Sequence, residues 1–504
     1  MTEATLEDSE VQAVAIDAKS GGRRAMLAGA IVPTLMRLAL PTITVLVAQT
    51  MVGIAETYYV GFLGTDALAG VSVVFPIWML MVMMSAGGMG NGVASAVARA
   101  IGARRTEDAD DVVLHAIALA ITFGLAFTLG TRAFGLALYH GLGARAELIA
   151  NALSYSDWLF LGAVPIWAVN LCSAALRGAG NVKTPAMVTL GGAFVLIPLS
   201  PLFIFGLGPI PGFGVAGAGI AVTIYYTAAS LVLLRYLAGG RGELTLRLRV
   251  LRWRLFRDIL RVGAIAALSA VQLNLTVILV TAAVGRFGAA ALAGYGIGSR
   301  LDYLLIPILF GLGSAVLTMV GTCIGAGDIR RAKRIGLAGT MIGAGFSEAV
   351  GLVVGVFPAV WVGLFSRETP VLEAGGAYLH AVAPFYAAVG ITFLLSFVSQ
   401  GAGRPLWPFL AGTVRLLIAA GVGMIAVDDW GADLFGLSII VACASIASAT
   451  VCLSAARLGL IWPARSGAIG PHGSKREKLG SSVRCFRGAT PPLERSGLQR
   501  PNGR

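Results

Sequence analysis

Apolar, uncharged stretches long enough to cross a bilayer recur along the chain, at positions 38–55, 67–98, 158–176, 184–234, 262–285, 303–327, 374–403 and 434–456. A single crossing needs about 20 residues. The stretch 184–234 is too long for one, and PIPGFGVAG in its middle reads as a hairpin turn, so it counts as two. Weaker spans at 112–138, 335–364 and 406–427 bring the number to twelve. All read as helices, because an unpaired backbone amide in hydrocarbon costs several kcal/mol and barrel strands would need only about ten residues each. The first residues are polar and mildly acidic, so no cleavable signal is expected.

Composition agrees. Hydrophobic residues make up 57% of the chain and charged residues 12%, about half the charged share of a soluble domain, which leaves too little polar surface for a water-soluble globule. The 67 glycines suit helices that approach closely within a membrane. The five cysteines, Cys172, Cys323, Cys443, Cys452 and Cys485, lack metal or redox spacing and are expected to be free packing residues. Arg241, Arg247, Arg249, Arg252, Arg254, Arg257 and Arg261 fall between spans six and seven, and Arg330, Arg331, Lys333 and Arg334 follow span eight. Loops of the other parity are nearly free of basic residues, apart from Arg145, Arg286 and Arg367. The positive-inside rule therefore places the basic loops and both termini in the cytoplasm of a multi-pass bacterial inner-membrane protein. The net charge of +13 needs no nucleic-acid partner, since about half of it lies after Pro463 and the rest in those loops.

A repeat runs through the chain at an offset of 223. GMGNGVASAVARAIGA at 88–103 lies over GLGSAVLTMVGTCIGA at 311–326, and RGAGNVKTP at 177–185 over QGAGRPLWP at 400–408. The same offset pairs Tyr155 with Tyr378 and Gln49 with Gln272. Six spans return the chain to its starting side, so the halves are parallel repeats, and such repeats enclose a substrate path between them. The expected organisation is an all-α membrane protein of two pseudo-symmetric six-helix lobes. Residues 1–30 form a cytoplasmic N-terminal segment, 31–238 the N-lobe, 239–261 a basic cytoplasmic linker, 262–458 the C-lobe and 459–504 a basic, disordered tail. Within the linker Leu251, Leu255 and Ile259 face away from Arg254, Arg257 and Arg261; a helix on the anionic inner leaflet and a solvated connection both fit.

LALPT opening span one, ETYYVGFLG at its end, ALAG opening span two, AIGAR with its partner CIGAG, and RGAGNVKTP with QGAGRPLWP appear in order. On these motifs, over roughly 32–457, the chain resembles the multidrug and toxic compound extrusion transporters. The resemblance implies two six-helix lobes forming a V and export of cationic amphiphiles in exchange for protons or sodium. It also marks departures. Glu56 stands where the family usually has aspartate, Leu196 and Ser200 where many members have an Asn and Asp pair in span five, and Gln272 near the family's span-seven carboxylate. Tyr155 lies where the family often has a cavity-lining tyrosine.

From the residues themselves, Glu56 is the strongest candidate for cation coupling. It stands about 22 Å along the helix from Pro41, and Thr42, Gln49 and Glu56 share one face with Gly53 beside them. A carboxylate at membrane depth costs at least ~2.5 kcal/mol and so finds a cation or takes up a proton. Solvation at the outer interface and pairing with an arginine are the competing readings. Gln49, Tyr155 and Asn170 are supporting N-lobe candidates. Gln272 and Glu348 are C-lobe candidates, Arg132 or Arg300 being alternative partners for Glu348. Met83, in the methionine-rich span two, and Tyr225 are substrate-cavity candidates, with gap filling the competing role for methionine.

No GxxxxGK[ST] loop is present, and His115, His140, His380 and His472 form no ligand set. Neither an ATP-driven pump, an enzyme, a cofactor nor a metal centre is expected. The expected protein is a monomeric antiporter exporting small cationic amphiphiles against H+ or Na+, with membrane lipids around it. A lipid-linked oligosaccharide flippase of the same wider superfamily is the alternative.

Overall fold

Each predicted span is a helix in the computed structural model, which describes residues 22–141, 146–209, 211–240 and 242–463. The expectations for the segment before residue 22 and for most of the tail, with Cys485 and His472, lie outside the described residues. The spans are α1 (Ile31–Gly61), α2 (Thr65–Gly102), α3 (Thr106–Gly141), α4 (Leu148–Leu161 with Ala163–Gly178), α5 (Lys183–Phe205), α6 (Val215–Ala238), α7 (Trp253–Gly285), α8 (Ala289–Gly325), α9 (Ile329–Val356), α10 (Thr369–Gly401), α11 (Leu406–Asp428) and α12 (Leu434–Arg457). Among the described residues eleven are long and apolar enough to span alone, and the two α4 segments, bent by 47° at Gly162, are so only together. The turn predicted in PIPGFGVAG separates α5 from α6.

Two hydrophobic cores follow the two halves. One gathers α2 to α6; the other gathers α8 to α12 with the C-terminal end of α7. Helices α1 and α7 cross between them. Leu35, Leu38 and Ala39 of α1 belong to the second core and Val52 to the first, while Leu255 and Ile259 of α7 belong to the first and Val280, Ala283 and Val284 to the second.

The repeat reappears as geometry, because contacts between the halves come in pairs related by 223 positions. A Cβ on Gly102 would run into the carbonyl oxygen of Thr322, and one on Gly325 into that of Arg99. Ser95 Oγ donates to the carbonyl of Gln400, and Thr318 Oγ1 to the carbonyl of Arg177 at 3.2 Å. Ala98 and Gly321, which hold the same register position in the two halves, face each other. These contacts cluster between the level of Gly88 and Gly311 and the end of the bundle that carries the basic loops. In this suture between the halves small residues let the two backbones approach closely.

The segment read as a linker differs from both expectations. Helix α7 already begins at Trp253, and Leu255 and Ile259 are buried against the first half. The preceding arginines meet the acidic start of α3: Arg249 lies 3.3 Å from Glu107, Arg252 3.4 Å from Asp111 and Arg254 2.7 Å from Asp108. His115, fully buried, accepts the Arg252 amide at 2.8 Å. The segment is therefore held to protein, three of its arginines paired with carboxylates about 140 residues away in sequence.

Candidate ion and substrate site

Five residues before the end of α1, half-buried Glu56 turns into the first half of the molecule. Buried Ser200, between the two prolines of α5, donates to its Oε1 at 3.3 Å. Tyr155 of α4 packs on the cluster that holds Val60 and Ile204, one turn beyond Glu56 and Ser200, and Tyr225 and Tyr226 of α6 belong to the core of the same half. The two α6 rings lie against each other at 4.6 Å. Tyr225 is packed so tightly against α5 that a Cβ on Gly192 would run into its ring. Among the described residues no basic side chain comes within 4 Å of Glu56. The carboxylate thus has one neutral hydroxyl donor and no cation beside it among the described residues, an environment that can take up a proton or a small cation.

The other candidates separate. Gln49 lies two turns before Glu56 on α1, half-buried. Asn170 is not beside Glu56; its Nδ2 donates to Ser85 Oγ at 2.8 Å, in the π-helical stretch Met83–Met89 of α2. Met83 opens that stretch and is half-buried. A π-helical turn inside an α-helix is a frequent feature of functional sites.

In the second half, Gln272 donates to Thr413 Oγ1 at 2.8 Å and joins α7 to α11. Glu348 accepts the backbone N–H of Ala387 at 2.7 Å, just past the break that Pro384 makes in α10. Neither alternative partner reaches it, since Arg132 lies 3.3 Å from Asp157 and Arg300 sits over the ring of Phe365 at 5.6 Å.

One acid escaped the sequence reading. Asp302 belongs to α8, about 20 Å along the helix from Ala289, and Tyr378 donates to its Oδ2 at 3.5 Å. Tyr378 is the repeat counterpart of Tyr155. The predicted span began at 303, one residue too late to include Asp302. Among the described residues no basic side chain lies within 4 Å of Asp302.

Comparison with known proteins follows the same outline. A family model described as MatE matches residues 41–202 and 266–425, one segment in each half. An FAD transporter of Shewanella oneidensis is 27% identical over 79% of this chain and 88% of its own. A probable multidrug resistance protein NorM of Thermotoga maritima is 27% identical over 76% and 83%. The multidrug export protein MepA of Staphylococcus aureus is 24% identical over 75% and 84%. Among solved structures, a MATE protein in a bent conformation superposes with a TM-score of 0.80 at 26% identity, covering 87% of this chain and 97% of that one. A MOP superfamily transporter from Pyrococcus furiosus gives 0.79 at 26% identity, covering 86% and 97%.

Proposed function

The chain belongs to the MatE family, and we propose that within it the protein is a secondary antiporter that exports small cationic amphiphiles in exchange for H+ or Na+. The basic-loop end faces the cytoplasm, and the halves 31–238 and 262–458 act as rocking lobes. The carrying observation is Glu56, a membrane-depth carboxylate that Ser200 holds and no cation neutralises among the described residues. With the cytoplasmic suture closed, Glu56 takes up an ion from outside. Neutralisation removes its pull on Ser200, α1 repacks on α5, and the cleft loses affinity for a cationic substrate. Substrate leaves, the lobes rock, and the ion is released inward. In a one-for-one exchange the ~2.3 kcal/mol that one charge gains entering down 100 mV offsets the same cost to a monovalent cation leaving, so the pH or sodium difference drives the concentration gradient.

Multidrug transport is named for two of the relatives above, and this supports the substrate class. None of those relatives is named a flippase. The Shewanella relative favours a second reading, in which the cargo is a flavin nucleotide. Dye efflux from proteoliposomes under an imposed pH or sodium gradient, with FAD as an alternative cargo, separates these outcomes. Wild type is expected to accumulate a cationic dye against its gradient under one ion only, and Glu56→Gln to lose accumulation under both. Normal gradient-driven export by Glu56→Gln would remove Glu56 from the mechanism.

A further inference from the structure

Of the five arginines between positions 249 and 261, three are spent on protein and two are not. Arg249, Arg252 and Arg254 pair with the acidic start of α3, whereas Arg257 and Arg261 form no ion pair among the described residues. These two stand one turn apart on α7, about 200° round the helix from Leu255 and Ile259, which bury its other side in the first half. With Trp253, one turn earlier and 73% exposed, and with Leu260, they line a cavity of about 550 Å³. The same face continues in steps of three and four residues through Ala264, Leu268, Val271, Leu275 and Ile278, all exposed. Helix α7 thus presents one uncovered stripe, with an indole and two guanidinium groups at the basic-loop end and only aliphatic side chains beyond them.

We infer that this stripe is a binding site for an anionic phospholipid of the leaflet at the basic-loop end. The phosphate lies between Arg257 and Arg261, the Trp253 ring packs beside the glycerol, and an acyl chain runs along α7 over Leu268 and Leu275. Arginine holds phosphate oxygens with forked N–H donors, and indole rings settle at the headgroup level of a bilayer. The occupant has to match both ends of the stripe. A free phosphate, a nucleotide or an acidic peptide leaves the aliphatic part uncovered, and a zwitterionic lipid brings an ammonium group toward two guanidinium groups. An anionic head with a hydrocarbon tail fits the whole length. The position also gives the lipid something to hold. Asp258, next to Arg257, accepts from Arg99 of α2 at 2.8 Å, and Arg99 donates in turn to Ser95, whose hydroxyl meets the Gln400 carbonyl across the suture. A lipid seated here anchors the turn of α7 that braces the closed suture. The inference goes beyond the antiport reading and does not rest on it.

Native mass spectrometry of the full chain in detergent, titrated with dioleoylphosphatidylglycerol or dioleoylphosphatidylcholine, counts bound lipid, and thermal unfolding with and without lipid gives a second readout. Wild type is expected to bind the glycerol lipid ~10-fold more tightly than the choline lipid, as two arginines at an anionic headgroup imply. Arg257→Gln with Arg261→Gln is expected to lose that preference and the lipid-induced rise in unfolding temperature, while unfolding like wild type without lipid. Arg257→Lys with Arg261→Lys keeps the charge and is expected to keep the preference. Arg330→Gln with Arg334→Gln removes as much exposed charge from the start of α9 and is expected to change nothing. Glycerol 3-phosphate, a headgroup without chains, is expected not to displace the lipid. Equal binding of both lipids by wild type, an intact preference in the glutamine pair, or its loss in the lysine pair or the α9 pair overturns the site. Displacement by glycerol 3-phosphate would make the occupant a soluble phosphate ester, and the lipid assignment would fall.

Discussion

Glu348 and Glu56 are both carboxylates inside predicted spans, yet their partners give them different work. Glu348 completes a backbone: Pro384 interrupts α10, and the carboxylate takes the Ala387 N–H at 2.7 Å. A buried amide left unpaired inside protein costs about 1–3 kcal/mol, and a neutral side-chain oxygen can still accept its hydrogen bond. Glu348→Gln is therefore expected to transport normally and Glu348→Ala to lose about 1–3 kcal/mol of stability, read from thermal unfolding in detergent alongside dye efflux. Loss of ion coupling in Glu348→Gln at unchanged stability would instead place it in the coupling site. The sequence made both acids visible because a charge in an apolar run stands out. It could not sort them, since the deciding groups, Ser200 and the Ala387 amide, are remote in the chain. Asp302 stayed hidden for a different reason: the charge itself marked the apparent edge of its span.

At the scale of elements, the twelve spans were legible because hydropathy reports membrane burial directly, whereas connections depend on partners that local pattern does not show. The N-terminal turn is one such connection. Residues 22–28 are helical and lie across the basic-loop end, tied to both halves. Arg23 donates to the carbonyls of Ile101 and Gly102 at 3.1 and 3.0 Å, and Arg331 donates to that of Met26 at 3.0 Å and to that of Gly29. Met26, 2% exposed, receives the Thr322 hydroxyl on its sulfur at 3.7 Å. A strap that bonds both halves while they are closed must let go when they separate, so it favours the closed suture. Removing both guanidinium groups with Arg23→Gln and Arg331→Gln is expected to shift the lobes toward opening at this end. With Thr318→Cys as reporter, 2% exposed at present, maleimide labelling should accelerate ~10-fold, the equivalent of 1.4 kcal/mol. An unchanged labelling rate would leave the strap a passive attachment.

For the whole molecule, the repeat carries a stronger consequence than the family likeness, because it fixes which residues must meet. A parallel duplication about one axis brings each register position near its own copy where the axis passes. The offset of 223 alone pairs position 98 with 321, and the structure places those residues face to face, the built Cβ of Gly321 lying 2.9 Å from that of Ala98. What the offset could not reveal is the departure from symmetry: an acid on α1, Glu56, whose counterpart on α7 is Leu279. The axis gives the alternating-access reading its sharpest test. Cysteines joined by a disulfide prefer Cβ atoms about 3.5–4.5 Å apart, so a small relaxation admits a bridge between Ala98→Cys and Gly321→Cys in a background lacking the native cysteines. Oxidation is expected to cross-link the pair, hold the suture shut and stop dye efflux, with reductant restoring it and either single cysteine unaffected. Undiminished efflux from fully cross-linked protein would mean that this end never opens, and substrate would then have to travel by a route other than the cleft between the halves.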